Sequence, residues 1–222
     1  MATTLAPPKA GTRSKGGDGG RNGKGFGDFG GGGDRWESAP WSVPARAYHT
    51  GMWMGIAGIV MIFAAFTSAL VVRRGISNDW VPTALPPILY LNTLVLVVSS
   101  LTLEVSRRSL RAARGAAFAR WLYLTVALGL AFVAGQLAGW KELHARGVYL
   151  ATNPSSSFFY LLTAAHGIHL LGGIVALLVL AVRAPKLAAM PKSRVAVDVT
   201  SIYWHFMDGL WIYLLILLTT RL

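Results

Sequence analysis

Five long apolar stretches dominate the chain after residue 50, at about 52–72, 86–103, 121–140, 158–182 and 199–220. A helix needs about 20 predominantly apolar residues to cross the hydrocarbon core of a bilayer. Inside lipid a helix also satisfies its own backbone hydrogen bonds, which an open strand or a loop does not. The fold class this predicts is an all-α membrane protein, a five-transmembrane-helix bundle. The second stretch is the shortest, and Pro86-Pro87 at its start fits a first helical turn.

The composition of the remainder narrows the function classes. Of 222 residues 54% are hydrophobic and only 14% charged, although the net charge is +12. A basic nucleic-acid binder spreads Lys and Arg over a face and lacks such apolar runs, so no nucleic-acid partner is expected. With no cysteine, the chain forms no disulfide scaffold, no iron–sulfur cluster and no thiolate nucleophile. Residues 1–47 read as a separate region, a flexible, disordered Gly-rich basic cytoplasmic tail, and residues 48–222 as the membrane domain. Twelve of the 25 glycines fall before residue 46, with almost no aliphatic residue after Leu5. Such a segment buries too little apolar area to offset the entropy of ordering it. Its glycines lack the flanking strand and the Lys-Ser or Lys-Thr of a phosphate-binding loop. No apolar segment follows its basic residues, so a secretory signal is not expected either.

The positive charge encodes orientation. Sixteen of the 21 Lys and Arg lie in the tail, the second-to-third loop and the fourth-to-fifth loop. Cytoplasmic loops carry such an excess, which predicts a cytoplasmic N-terminus and an external C-terminus. Arg73-Arg74 is the local exception, a pair able to snorkel to the outer interface. Small residues mark where helices approach closely in lipid. Gly51 and Gly55, then Ala131, Gly135 and Gly139, then Gly167, Gly172 and Gly173 are expected to serve helix contacts within the chain, and they also suit docking of another subunit.

Ionisable groups within a membrane are costly and so are candidate functional residues. His166 and His169 are three apart on the fourth stretch, and His205 and Asp208 three apart on the fifth. Gln136 is a further polar group at depth, and Glu104 lies near the cytoplasmic end of the second stretch. Three readings are open. His166 and His205 could ligate a haem between two helices, His and Asp could relay protons, or the groups could satisfy one another and fix the packing. Aromatic crowding by Tyr203, Trp204, Phe206 and Trp211 leaves little room for a macrocycle, and no continuous titratable chain is evident.

The fifth stretch contains Tyr203-Trp204-His205-Phe206-Met207-Asp208 followed by Trp211. The fourth has Phe158-Phe159, Thr163, His166-Gly167-Ile168-His169 and Gly172-Gly173. The third carries Gln136 and Trp140, and the second Leu91-Asn92-Thr93 and Ser99-Ser100-Leu101-Thr102. This ordered set, over residues 48–222, resembles subunit III of haem–copper cytochrome c oxidases in its shorter, five-helix form. The resemblance implies a non-redox accessory subunit, with no haem, copper or other metal in this chain and none of its residues catalytic. It implies docking on catalytic subunit I beside copper-bearing subunit II, in a bacterial inner membrane, with bound phospholipid. There the complex reduces oxygen to water and pumps protons, and this subunit stabilises the catalytic one and supports proton uptake. Accessory subunits of nitric oxide reductases share the fold and are the alternative; a stand-alone transporter or a b-type cytochrome is more distant. Cytochrome c and quinol are both open as electron donors.

In many relatives a buried Glu stands in the first helix, where this chain has Ile59, and another aligns with Gly139. An acidic position before the last motif is kept as Asp198. The resemblance thus implies a structural or lipid-linked polar cluster of His166, His169, His205, Asp208, Asp198, Gln136, Trp53, Trp204 and Trp211. Lipid contact falls to His205, Asp198 and Trp53. Mutual or lipid-linked structural contacts between the last two helices are expected for His166, His169, His205 and Asp208.

Overall fold

A computed structural model describes residues 45–76, 78, 80, 85–189 and 194–221. Residues 1–44, and with them nearly all of the expected tail, lie outside the described residues. The described chain is all helical: α1 Ala45–Ile76, α2 Ile88–Arg111, α3 Gly115–Ala145, α4 Pro154–Ala189 and α5 Arg194–Arg221. All five are long and apolar enough to cross a membrane. They also outrun the apolar stretches. The apolar run measures hydrocarbon thickness, whereas a helix continues through the interface on residues such as Arg107, Arg108 and Arg111.

Local chemistry sets the ends. At the start of α4 the Asn153 side chain accepts from the Ser156 amide at 2.8 Å, while Ser156 Oγ accepts from the Asn153 amide at 3.2 Å. This reciprocal cap, with Pro154 at the first helical position, starts α4 ahead of the apolar run. Helices α2 and α3 end alike. After α3, Gly147 has φ +75°, its amide donates to His144 and the Val148 amide donates to Leu143, both at 3.0 Å. After α2, Ala113 takes the same left-handed place at φ +56°, with its amide donating to Leu110 and the Arg114 amide donating to Ser109. Both are Schellman closures, but only one has the glycine that adopts the left-handed region without steric cost.

Helices α2, α3, α4 and α5 form a closed four-helix ring, each packed on its neighbours, with α5 returning to α2. Helix α1 lies outside it, mainly on α5 and to a lesser extent on α4. The ring core holds Trp204, Trp211, Phe118, Phe132 and Phe159, all fully buried. Glycines on α3 and α4 make room for the indole of α5: a Cβ on Gly129 would lie 2.9 Å from Trp204, and one on Gly173 would lie 3.2 Å from Trp204 and 3.1 Å from Tyr203. Gly135 is covered by the Asn92 side chain of α2, and Gly139 by Ile88. These are the close backbone approaches expected of small residues. Gly51, Gly55 and Gly167 correct that expectation, because no atom of the described residues lies within 4 Å of where their Cβ atoms would stand, and Gly58 is equally open. The spacing of small residues marks a smooth helix face without saying which neighbour fills it.

Hydroxyls knit α2 to α3. Ser99 donates to the Thr125 carbonyl at 3.3 Å, the Thr102 and Thr125 hydroxyls bond each other at 2.9 Å, and Ser106 donates to the Phe118 carbonyl at 2.9 Å. Helix α1 is fastened to α5 by the Thr67–Tyr213 hydroxyl pair at 2.9 Å and by Arg74, which donates to the Thr220 carbonyl at 3.0 Å. Arg74 thus serves a helix C-terminus, where a cation complements the backbone dipole.

Candidate functional site

Three clusters of polar groups lie along the ring. The first surrounds His166, which is fully buried. Its imidazole lies 5.1 Å from the Trp211 ring and 6.2 Å from Phe132, and these two rings meet edge to face at 5.0 Å. Trp211 Nε1 donates to Thr93 of α2 at 3.0 Å, so the Trp joins three helices at one point. Neither nitrogen of His166 has a hydrogen-bond partner among the described residues, nor does either amide atom of buried Gln136.

The second cluster joins α5 to α2. The Ser100 hydroxyl and His205 Nδ1 share a hydrogen bond. The Asp208 carboxyl lies beside the same hydroxyl and is itself buried. His205 and Asp208 are a turn apart on α5, so one serine on α2 meets both.

The third cluster is ionic and lies where α2 ends and α5 begins. Asp198 accepts from Arg111 at 2.9 Å and from Arg107 at 3.4 Å. Glu104 accepts from Arg107 at 2.7 Å and from Arg108 at 2.8 Å. The arginine-rich end of α2 is thereby tied to α5 by a half-exposed network.

The geometry separates residues that spacing places on one face. His169 turns from His166 toward α1: its ring lies 5.9 Å from Phe63, and its Nδ1 donates to the Ala165 carbonyl at 2.7 Å. Three positions along a helix rotate a side chain by about 60°, enough to give two residues different neighbours on a helix packed from both sides. The expected mutual contacts between α4 and α5 are accordingly absent among the described residues. His205 and Asp208 turn to α2, and α4 meets α5 through the Tyr203 hydroxyl, which donates to the His169 carbonyl at 2.8 Å. His166 and His205 do not share a facing site, since one packs in the ring's aromatic interior and the other bonds Ser100. Trp204 is fully buried against the two glycines described above, and Trp53 is exposed on α1.

The two positions where the resemblance leads one to expect carboxylates are packed with carbon. Ile59 is a core residue, and a Cβ on Gly139 would already lie 3.2 Å from Ile88. Ser100 and Thr93, motif residues in the sequence but not among the candidate site residues, join clusters, and Phe132 packs the interior. Their signal was present in α2, whose hydroxyls recur inside an otherwise apolar run.

Five membrane-crossing helices with a polar interior used for helix contacts define a multi-pass α-helical membrane protein. The sequence model of the cytochrome c oxidase subunit III family matches residues 45–220, and the chain belongs to that family. It is 36% identical over 158 residues to a probable cytochrome c oxidase subunit 3 of Mycobacterium tuberculosis (strain CDC 1551 / Oshkosh), covering 69% of this chain and 75% of that one. A probable cytochrome c oxidase subunit 3 of Nocardia farcinica is 34% identical over 159 residues, covering 69% and 77%. The cytochrome c oxidase subunit 3 of Synechocystis is 30% identical over 161 residues, covering 70% and 68%.

Proposed function

We propose that the chain is the non-catalytic accessory subunit of a bacterial cytochrome c oxidase, docked on catalytic subunit I of a complex that includes copper-bearing subunit II. In this reading haem and copper belong to the partners. This subunit stabilises the catalytic one, supports its proton uptake and binds phospholipid, with its N-terminus in the cytoplasm. The family match supports the oxidase assignment, and the names of the relatives favour it over a nitric oxide reductase.

The observation that carries docking is the outer face of α1. Its apolar window is the least buried of the five, 22% against 44% on α5, and Gly51, Gly55 and Gly58 give it a smooth surface that no atom of the described residues fills. In lipid such a surface gains by close helix packing. Gly55→Leu tests it. Among the described residues no atom lies within 4 Å of the Cβ position at Gly55, so the purified variant should keep its helical content and melting temperature. Recovery of subunit I with a tagged variant should fall about tenfold, which corresponds to about 1.4 kcal/mol of association free energy. Unchanged recovery overturns the docking face, and recovery of a nitric oxide reductase overturns the oxidase assignment.

A further inference from the structure

One layer of the ring gathers polar atoms that its own side chains do not satisfy. Neither nitrogen of His166 on α4, neither amide atom of Gln136 on α3, nor the amide nitrogen of Asn92 on α2 has a hydrogen-bond partner among the described residues. All three side chains are buried, His166 completely. Closer to the cytoplasmic end of α2 the buried hydroxyls are paired directly, Ser99 and Thr102 with Thr125 and Ser106 with the Phe118 carbonyl.

The three residues surround one aromatic pair, Phe132 and Trp211, and the His166 ring packs against both. Gln136 stands one helical turn beyond Phe132 on the same face of α3. The Asn92 carboxamide covers Gly135, the residue next to Gln136, with Nδ2 2.9 Å from where a Cβ would stand. Thr93, next to Asn92, accepts from Trp211. All four ring helices therefore meet at this level. A cavity of about 220 Å³ borders it, with Phe132 and Gln136 on one wall and Thr163 and Gly167, which flank His166, on the other. Thr163 is already engaged, since Trp140 Nε1 donates to it at 3.2 Å and it donates to the Phe159 carbonyl at 2.7 Å.

A buried amide or imidazole is costly unless it is hydrogen-bonded, and folded proteins meet such groups with their own atoms or with ordered water. The chemistry of the three side chains selects water. A neutral imidazole offers one donor and one acceptor, and each carboxamide offers two donors and an acceptor oxygen. A water molecule accepts from one such group while donating to the next, and it needs about two to four polar partners and little room. Among the described residues no group of three or more His, Asp or Glu could hold a metal ion. We infer that this layer binds ordered internal water, which bridges Gln136 of α3 to His166 of α4 and extends toward Asn92 of α2. The water ties α3 to α4 in mid-membrane, where their facing side chains are otherwise small or apolar. The site is built from this chain alone and does not rest on the docking reading.

X-ray hydroxyl-radical footprinting tests it on the full chain in whatever complex it purifies with. Radiolysis of a bound water oxidises the side chain beside it, even where bulk solvent does not reach. Phe132 and Phe63 are 1% and 2% exposed and share one chemistry. Phe63, however, packs on Phe66 and on His169, whose Nδ1 is bonded to the Ala165 carbonyl. Phe132 should therefore oxidise severalfold faster than Phe63, and Gln136→Leu should erase the difference. A wild-type density map that resolves ordered water should show a peak within hydrogen-bonding distance of Gln136 and His166, and it decides alone if the variant is not recovered. Equal oxidation of the two phenylalanines, which a layer filled only with hydrocarbon would give, overturns the site. A difference that persists in Gln136→Leu, or a map without the peak, overturns it as well.

Discussion

Pro185 removes a backbone donor from α4, and Tyr123 supplies one in its place. A proline within a helix leaves the carbonyl four residues earlier without its amide partner, here the carbonyl of buried Ala181. The Tyr123 hydroxyl of α3 donates to that same carbonyl at 3.2 Å. Tyr123→Phe should therefore lower stability by about 1–3 kcal/mol, the cost of an unsatisfied acceptor. In a Pro185→Ala background, where the helix satisfies Ala181 itself, the same change should cost much less. Thermal unfolding of the four proteins in detergent measures the coupling, and equal costs in both backgrounds would refute it. The pairing was invisible in the sequence, because Pro185 and Tyr123 lie in helices whose relative rotation no local pattern reports. The candidates His166, His205 and Asp208 were legible, since an ionisable group in an apolar run stands out. Their surroundings were not: Ser100, which meets His205, and Thr93, which accepts from Trp211, matter through the α2 face they turn to α5.

The end of α2 is the element-scale counterpart. Ala113 holds a left-handed conformation that costs a residue with a Cβ roughly 1–2 kcal/mol, within hydrogen bonding that matches the glycine-bearing end of α3. Ala113→Gly should raise stability by about 1 kcal/mol, the relief of that strain less the added freedom of the unfolded chain. Chemical denaturation in mixed micelles would show the gain as a higher midpoint, and a lower one would refute the strain. The existence of every helix followed from its apolar run, but the ends did not. The Asn153–Ser156 cap of α4 lies outside the hydrophobic run, and the arginines ending α2 are the residues that a hydropathy window treats as loop. The small-residue stripes were legible as smooth faces. Only packing separates Gly135, covered by Asn92, from Gly55, which the described residues leave open.

Across the whole molecule, the Lys and Arg of the loops predict that the start of α1 and the end of α5 lie on opposite sides of the membrane, with the α2–α3 turn in the cytoplasm. An alkaline phosphatase fused after α5 should be active and one fused at the α2–α3 turn inactive; the reverse pattern would invert the orientation. The ring and α1 also differ in how they are held. The four ring helices close on one another, whereas α1 rests mainly on α5. A chain is made from its N-terminus onward, so α1 enters the bilayer first and the helix it rests on enters last. Throughout synthesis α1 waits in lipid without its main intramolecular neighbour. While α5 is still being made, the side of α1 that later packs on it faces lipid as well, so α1 is at its most open before the ring closes.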